Sequence, residues 1–411
     1  MLMKNPQASR GAYPEDLREV MNIKSAQESG IWLSHWDQIN RTVTPLWDLP
    51  DAAEALGIAQ LCLKDESVRS PLGSFKALGA PVALMRLIAR LWSSEVSFDP
   101  RVLINGGYSS LLEGLTVISA TDGNHGKSLA AAAQAIGCRC VIVLHANVSA
   151  ERETSIAAYD AEIIRVSGNY DESVEHAAHL AQTHGWHVVS DTSYEGYETI
   201  PRDVMQGYGV IPDEVVAQLE SSPSKAPFTH VFLQGGVGGL AAGIVTYLWE
   251  HYGAQRPVFI VVEPRQADCL YQSAIAGYAT TATGSVDSVM AGLACGETSP
   301  LAWKFLQPCV DHFMTISDDD AIEAMRALAR GTERDAPLVV GESGAAGFAG
   351  LTQLARYPEQ ARAVGLTSES RVLVISTEGA TAPNTYSELV GESAQSVLAR
   401  QHEWMQGCTV R

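Results

Sequence analysis

Short β-branched apolar runs alternate along this chain with longer Ala-rich stretches whose polar positions recur at helical spacing. The runs Val117–Ala120, Val141–Leu144, Glu162–Val166, His187–Val189, His230–Leu233, Val258–Val262 and Arg371–Ser376 predict strands. Most are apolar throughout, which suits strands covered by helices on both faces. Lys127–Gly137, Ser173–His184, Gly239–His251, Asp318–Leu328 and Gly344–Tyr357 predict helices. Repeated strand–helix alternation implies mostly parallel sheets flanked by helices, an α/β fold. Residues 1–30 and 396–411 are polar and irregular, and read as an arm and a tail that pack on a neighbour or fray. Ser221–Pro227 is the most linker-like stretch.

Composition narrows the class of function. The 411 residues carry 28 Lys+Arg against 47 Asp+Glu, and 46% are hydrophobic. Such a chain has the material for a core and, by length, for two or more domains. A net charge of −19 argues against holding nucleic-acid phosphates or an anionic membrane surface. The seven cysteines are scattered and lack metal-ligand spacing, so reduced thiols and no catalytic metal are expected. With no apolar run near ~18–20 residues and no apolar leader, the expectation is a soluble cytoplasmic protein without membrane contact.

Glycine is abundant, at 35 residues, and three glycine-containing segments stand out. In the first, Ser70 to Gly79, Lys76 sits where an apolar helix begins. The helix dipole and desolvation there would both disfavour its cation, as a carbonyl-bonding lysine requires. In the second, Thr121-Asp122-Gly123-Asn124-His125-Gly126-Lys127 links a strand to a helix. It reads either as an Asp-Gly turn capped by Asn124 or as a cofactor loop. The third, Gln234-Gly235-Gly236-Val237-Gly238-Gly239-Leu240, also runs from a strand into a helix, and its amides suit a phosphate monoester. Its spacing departs from the dinucleotide fingerprint.

That order of lysine, Asn-Gly loop and phosphate loop resembles the fold-type II pyridoxal-5′-phosphate enzymes, over roughly residues 40–385. By that resemblance Lys76 bonds the cofactor, Asn124 meets its phenolic oxygen, and Gly235, Gly236, Val237, Gly238 and Gly239 hold its phosphate. Thr377, or Ser376 beside it, meets the pyridine nitrogen. Three features depart from the dehydratases: Asp122 before the Gly-Asn pair, Ala77-Leu78-Gly79 after the lysine, and the segment Asp191 to Pro201 continuing to Met205-Gln206-Gly207-Tyr208. All three are similar to the diaminopropionate ammonia-lyases, which convert 2,3-diaminopropionate of either hand to pyruvate and two ammonia.

The resemblance implies a small amino-acid substrate and a homodimer. Asp191 would face the second ammonium, or else cap a local turn. Opposite enantiomers present Cα–H to opposite faces of the cofactor, so two bases are needed: Lys76 for L and Asp122 for D. Glu342 either lines the site or caps a helix. Cys269 and Cys295 flank a region over the site and read as thiols more readily than as a pair. His125 reads as packing. A D-serine or threonine ammonia-lyase, a racemase and a silent binding protein are the alternatives. Motif order places a small domain, 81–190, inside a large one, 31–80 with 191–395.

Overall fold

In the computed structural model of the chain, residues 1–121, 123–168, 170–219 and 225–409 are described. Ser221–Pro227 falls largely outside them. Eleven strands among these residues form two sheets: β1 Leu2–Lys4, β2 Leu46–Asp48, β3 Gln60–Asp65, β4 Thr116–Ala120, β5 Arg139–Leu144, β6 Glu162–Arg165, β7 His187–Val188, β8 His230–Gln234, β9 Val258–Pro264, β10 His312–Ile316 and β11 Arg371–Ser376. The larger sheet has the order β1-β10-β9-β8-β11-β3-β2, and its five inner strands are parallel. Only the edge strands β1 and β2 run antiparallel. The smaller sheet, β6-β5-β4-β7, is parallel throughout.

The unbroken apolar runs have the cause expected of them. β4 and β8 are buried at every position because helices cover both faces. In the large sheet Val231, Leu233, Phe259 and Val261 enter one core, and Phe232, Ile260 and Val262 enter the other. The first core continues into the small sheet through Val117, Ile142 and Leu144. A third cluster, with Ile118, Val141 and Val143, covers the small sheet's other face.

Both chain ends differ from the expected arm and tail. β1 pairs with β10, and Asn5 donates to the carbonyls of Gln307 and Val310 at 2.7 Å each. Three residues at a sheet edge are too short to show periodicity. The helix Ala394–Thr409 buries Val397, and Arg400 donates to the carbonyls of Ala329 and Arg330. Those carbonyls end the helix Asp318–Arg330, so a polar residue here serves as a cap.

Candidate active site

Loops leaving the C-terminal ends of β4, β8 and β11 converge on one cavity of about 940 Å³, part of it open to solvent. This is where parallel sheets hold ligands. After β8 the chain passes through Gly235 into the helix Gly239–Tyr252. A Cβ on Gly235 would lie 2.4 Å from Glu263 Cγ, while Gly236 and Gly238 have φ of +64° and +102°. Gly235, Gly236, Val237 and Gly239 line the cavity. Gly238 does not; it supplies the turn and packs beside Leu306 and Ala302. The helix's first amides have no intrahelical acceptor and suit an anion.

Lys76 sits in the 3-10 turn Phe75–Leu78, not in the first turn of the helix Ala80–Leu91. The turn is clamped from both sides. Phe75 N donates to the Thr377 carbonyl at 2.9 Å, and Ser128 Oγ donates to the Lys76 carbonyl at 2.8 Å. The Lys76 ammonium meets the Asp191 carboxylate and lies 5.1 Å and 5.8 Å from the ring centres of Phe75 and Tyr208. Burial works against its charge, but Asp191 and Tyr208 outweigh it and hold the lysine pKa above its usual value. The depressed value expected from position alone is therefore corrected: the opposing charge came from a segment far away in sequence. Burial likewise would lift Asp191, and the Lys76 ammonium holds it well below the carboxylate range.

The second segment supplies Asn124 and His125 at the start of the helix Asn124–Ile136. Asn124 Nδ2 donates to Glu378, whose other oxygen accepts from Ser343 N at 3.1 Å. His125 Nε2 donates to the Val189 carbonyl at 2.9 Å. Asp122 lies outside the described residues. At the end of β11, Thr377 lines the cavity, whereas Ser376 is fully buried away from it. Glu342 neither caps a helix nor lines the cavity. It pairs with Arg152 at 2.9 Å, and burial and Glu378 raise its pKa.

Cys269 is a thiol not bonded to Cys295, and its Sγ reaches the Gly236 carbonyl at 3.4 Å, while Cys295 lines the cavity. Arg152, Glu378 and Ser343 also line the cavity and were not singled out from sequence. Arg152 stands on a helix that reads as a solvated face. Glu378, one residue past Thr377 in a buried strand-end loop, carried a signal: a carboxylate among apolar and glycine neighbours needs a partner.

The residues fit a phosphate monoester whose carbonyl end reaches Lys76. The cradle of Gly235, Gly236 and Gly239 leaves room at a helix start. Gln234 Oε1, on a residue lining the same cavity, is buried without a hydrogen-bond partner among the described residues.

Comparison with known proteins agrees. Residues 38–378 match the family model described as pyridoxal-phosphate dependent enzyme. The chain is 38% identical over 360 residues to the diaminopropionate ammonia-lyase of Escherichia coli (strain K12), covering 86% of this chain and 88% of that one. It is 37% identical over 366 residues to the Salmonella typhimurium enzyme of the same name, covering 86% and 90%. Among solved structures it superposes on the E. coli ammonia-lyase with an aminoacrylate–PLP azomethine intermediate, with TM-score 0.83, 35% identity, and 95% and 96% coverage. The same enzyme with D-serine gives TM-score 0.85 at 34% identity, covering 97% and 98%.

Proposed function

The chain belongs to the pyridoxal-phosphate-dependent enzymes and, among them, to the diaminopropionate ammonia-lyases, and from that premise we propose that it eliminates the nitrogens of 2,3-diaminopropionate, of either hand, to leave pyruvate and two ammonia. The observation that carries this reading is the meeting of Lys76 and Asp191 at one end of the glycine cradle. Bound pyridoxal phosphate supplies a conjugated ring that accepts the electron pair left when the Cα proton goes.

The chain's own residues do the rest. Lys76 bonds the cofactor and, once substrate displaces it, takes the Cα proton of the L-isomer. Asp122 takes that of the D-isomer. Asp191 is the counterion for the β-ammonium, the charge that distinguishes this substrate from serine or threonine. Asn124 donates to the phenolic oxygen, with Glu378 orienting its amide. Thr377 presents a neutral hydroxyl to the pyridine nitrogen. Gly235, Gly236, Val237 and Gly239 hold the phosphate, and Gly238 shapes the turn. The released enamine takes up water to give pyruvate and the second ammonia.

In this reading residues 81–190 form a small domain that closes on the large one, residues 31–80 and 191–395. The Arg152–Glu342 pair across the cleft supports that. The reading also includes a homodimer, for which exposed Ile31, Ile275 and Tyr278 offer apolar area, and a cytoplasmic enzyme. Among the described residues no helix is long and apolar enough to cross a membrane.

Three assays test the proposal. Purified protein should be yellow, lose its colour with borohydride, and carry the reduced label on Lys76; label elsewhere overturns the lysine assignment. Ammonia and pyruvate release from diaminopropionate should exceed that from serine or threonine. Inversion of substrate without pyruvate would make it a racemase instead. Asp122→Asn should lose D-isomer turnover by about 10²-fold or more while keeping most L-isomer turnover. Equal losses on both hands would end the division of labour.

A further inference from the structure

His125 lies behind Asp191, and its two ring nitrogens have very different surroundings. A carbonyl can only accept, so the 2.9 Å contact with Val189 O places the proton on Nε2. Nδ1 is then a bare acceptor. It is buried, has no hydrogen-bond partner among the described residues, and faces Asp191 Oδ2 at 3.8 Å. Two acceptors thus face each other beyond hydrogen-bond distance, as lone pairs with no proton between them do. Asp191 Oδ2 also meets Lys76, so a single carboxylate oxygen sits between the lysine and the imidazole.

We propose that His125 is a positioning residue that sets leaving-group selectivity by keeping the His125–Asp191 pair without a proton to give. The inference rests on the ammonia-lyase reading above. A β-ammonium carries its own proton: when Cα–H breaks, that electron pair forms the Cα=Cβ bond, the Cβ–N pair leaves on nitrogen, and neutral ammonia departs. A β-hydroxyl has to be handed a proton to leave as water. The unprotonated pair binds the ammonium as counterion and offers the hydroxyl nothing. One added proton, on Nδ1 and delivered through Asp191 Oδ2 to the departing oxygen, converts the same geometry into an acid for hydroxyl elimination.

The surroundings of the imidazole favour the proton-free state. Burial lowers its proton affinity, Asp191 raises it, and Lys76 lowers it again. The start of the helix Asn124–Ile136 adds the positive end of a dipole, and Asp122 and Lys127 are its charged neighbours in sequence. Tyr208 and Cys295 stand beyond Lys76.

The experiment compares elimination from serine, β-chloroalanine and diaminopropionate by the holoenzyme from about pH 6 to 9. Chloride leaves without a proton, so the serine-to-chloroalanine ratio of kcat/KM isolates the need for one. In the wild type that ratio should rise about tenfold for each pH unit of acidification. In His125→Gln, which keeps a side-chain donor for Val189 O but does not titrate, the ratio should be flat while chloroalanine turnover is largely retained. A flat wild-type ratio, or an unchanged slope in the variant, overturns the inference. ¹⁵N NMR of the histidines is the second readout: the resonance lost in His125→Gln should report the Nε2–H tautomer, and an Nδ1–H tautomer overturns it. Failure of the wild type to release ammonia from diaminopropionate would instead refute the ammonia-lyase reading.

Discussion

Gly235 shows how narrowly a single residue is constrained at this site. The nearest atom to an added Cβ is Glu263 Cγ, and Glu263 cannot swing away because Leu270 N and Tyr271 N hold its two oxygens at 2.9 and 2.7 Å. Gly239, four residues on, has nothing closer than 3.6 Å. Gly235→Ala should therefore weaken cofactor binding about tenfold or more, whereas Gly239→Ala changes it far less. Equilibrium dialysis of the cofactor against each apoprotein checks the contrast, and equal affinities would refute it. Both glycines look alike in sequence, since the obstructing Glu263 arrives from the next strand.

At the scale of elements, the helix Thr199–Tyr208 places the lysine turn. Gly207 lies so close to the Leu78 carbonyl that a Cβ would come within 2.0 Å of the oxygen. That approach sets Tyr208 beside Phe75, with ring centres 4.8 Å apart, and so beside Lys76. Gly207→Ala should push the helix away, costing about 1–3 kcal/mol of stability and a larger share of activity. Thermal unfolding together with ammonia release measures both; unchanged turnover would mean that the helix does not position Lys76.

A second element carries a pH signature. His312 on β10 is buried among Asp311, Lys4, His230 and Arg10, and burial lowers its pKa to about 4. An imidazole that binds its proton less readily folded than unfolded adds stability above pH 6.5, and that stability is lost as pH falls toward 4. The loss is at most about 3 kcal/mol. His312→Asn should flatten the fall of the urea midpoint over this window. An identical fall in both proteins would exclude His312 as its source.

Across the whole molecule, two of the contacts that join the small-sheet half to the large end on buried carboxylates. Arg152, on the helix Ala150–Ala157, pairs with Glu342, and Asn124 reaches Glu378. Glu342 is only 1% exposed, so losing Arg152 leaves a buried carboxylate unpaired. Arg152→Ala should lower kcat/KM several-fold by favouring an open cleft, and adding Glu342→Gln should recover part of the loss. No recovery in the double variant would show that the pair does not govern closure.

The sequence alone determined the α/β class and the three glycine segments, because strand periodicity and glycine turns depend on near neighbours. It brought out Lys76 and Asn124 from their glycine-bearing segments, and Thr377 or Ser376 through the family resemblance. The strands β2, β3 and β10 were not legible, nor was the anchoring of both chain ends: β1 and β2 are three-residue edge strands that acquire their identity from their partners, and β3 and β10 mix Gln60, Lys64, Asp65, His312 and Thr315 into their apolar runs. Only the tertiary structure decided that Lys76 meets Asp191, that Thr377 and not Ser376 lines the cavity, and that Arg152 and Glu378 belong there. Charge partnership and burial are relations between segments distant in the chain. They reversed the proton affinity expected for Lys76 from local surroundings, because an opposite charge in contact outweighs burial and a helix dipole.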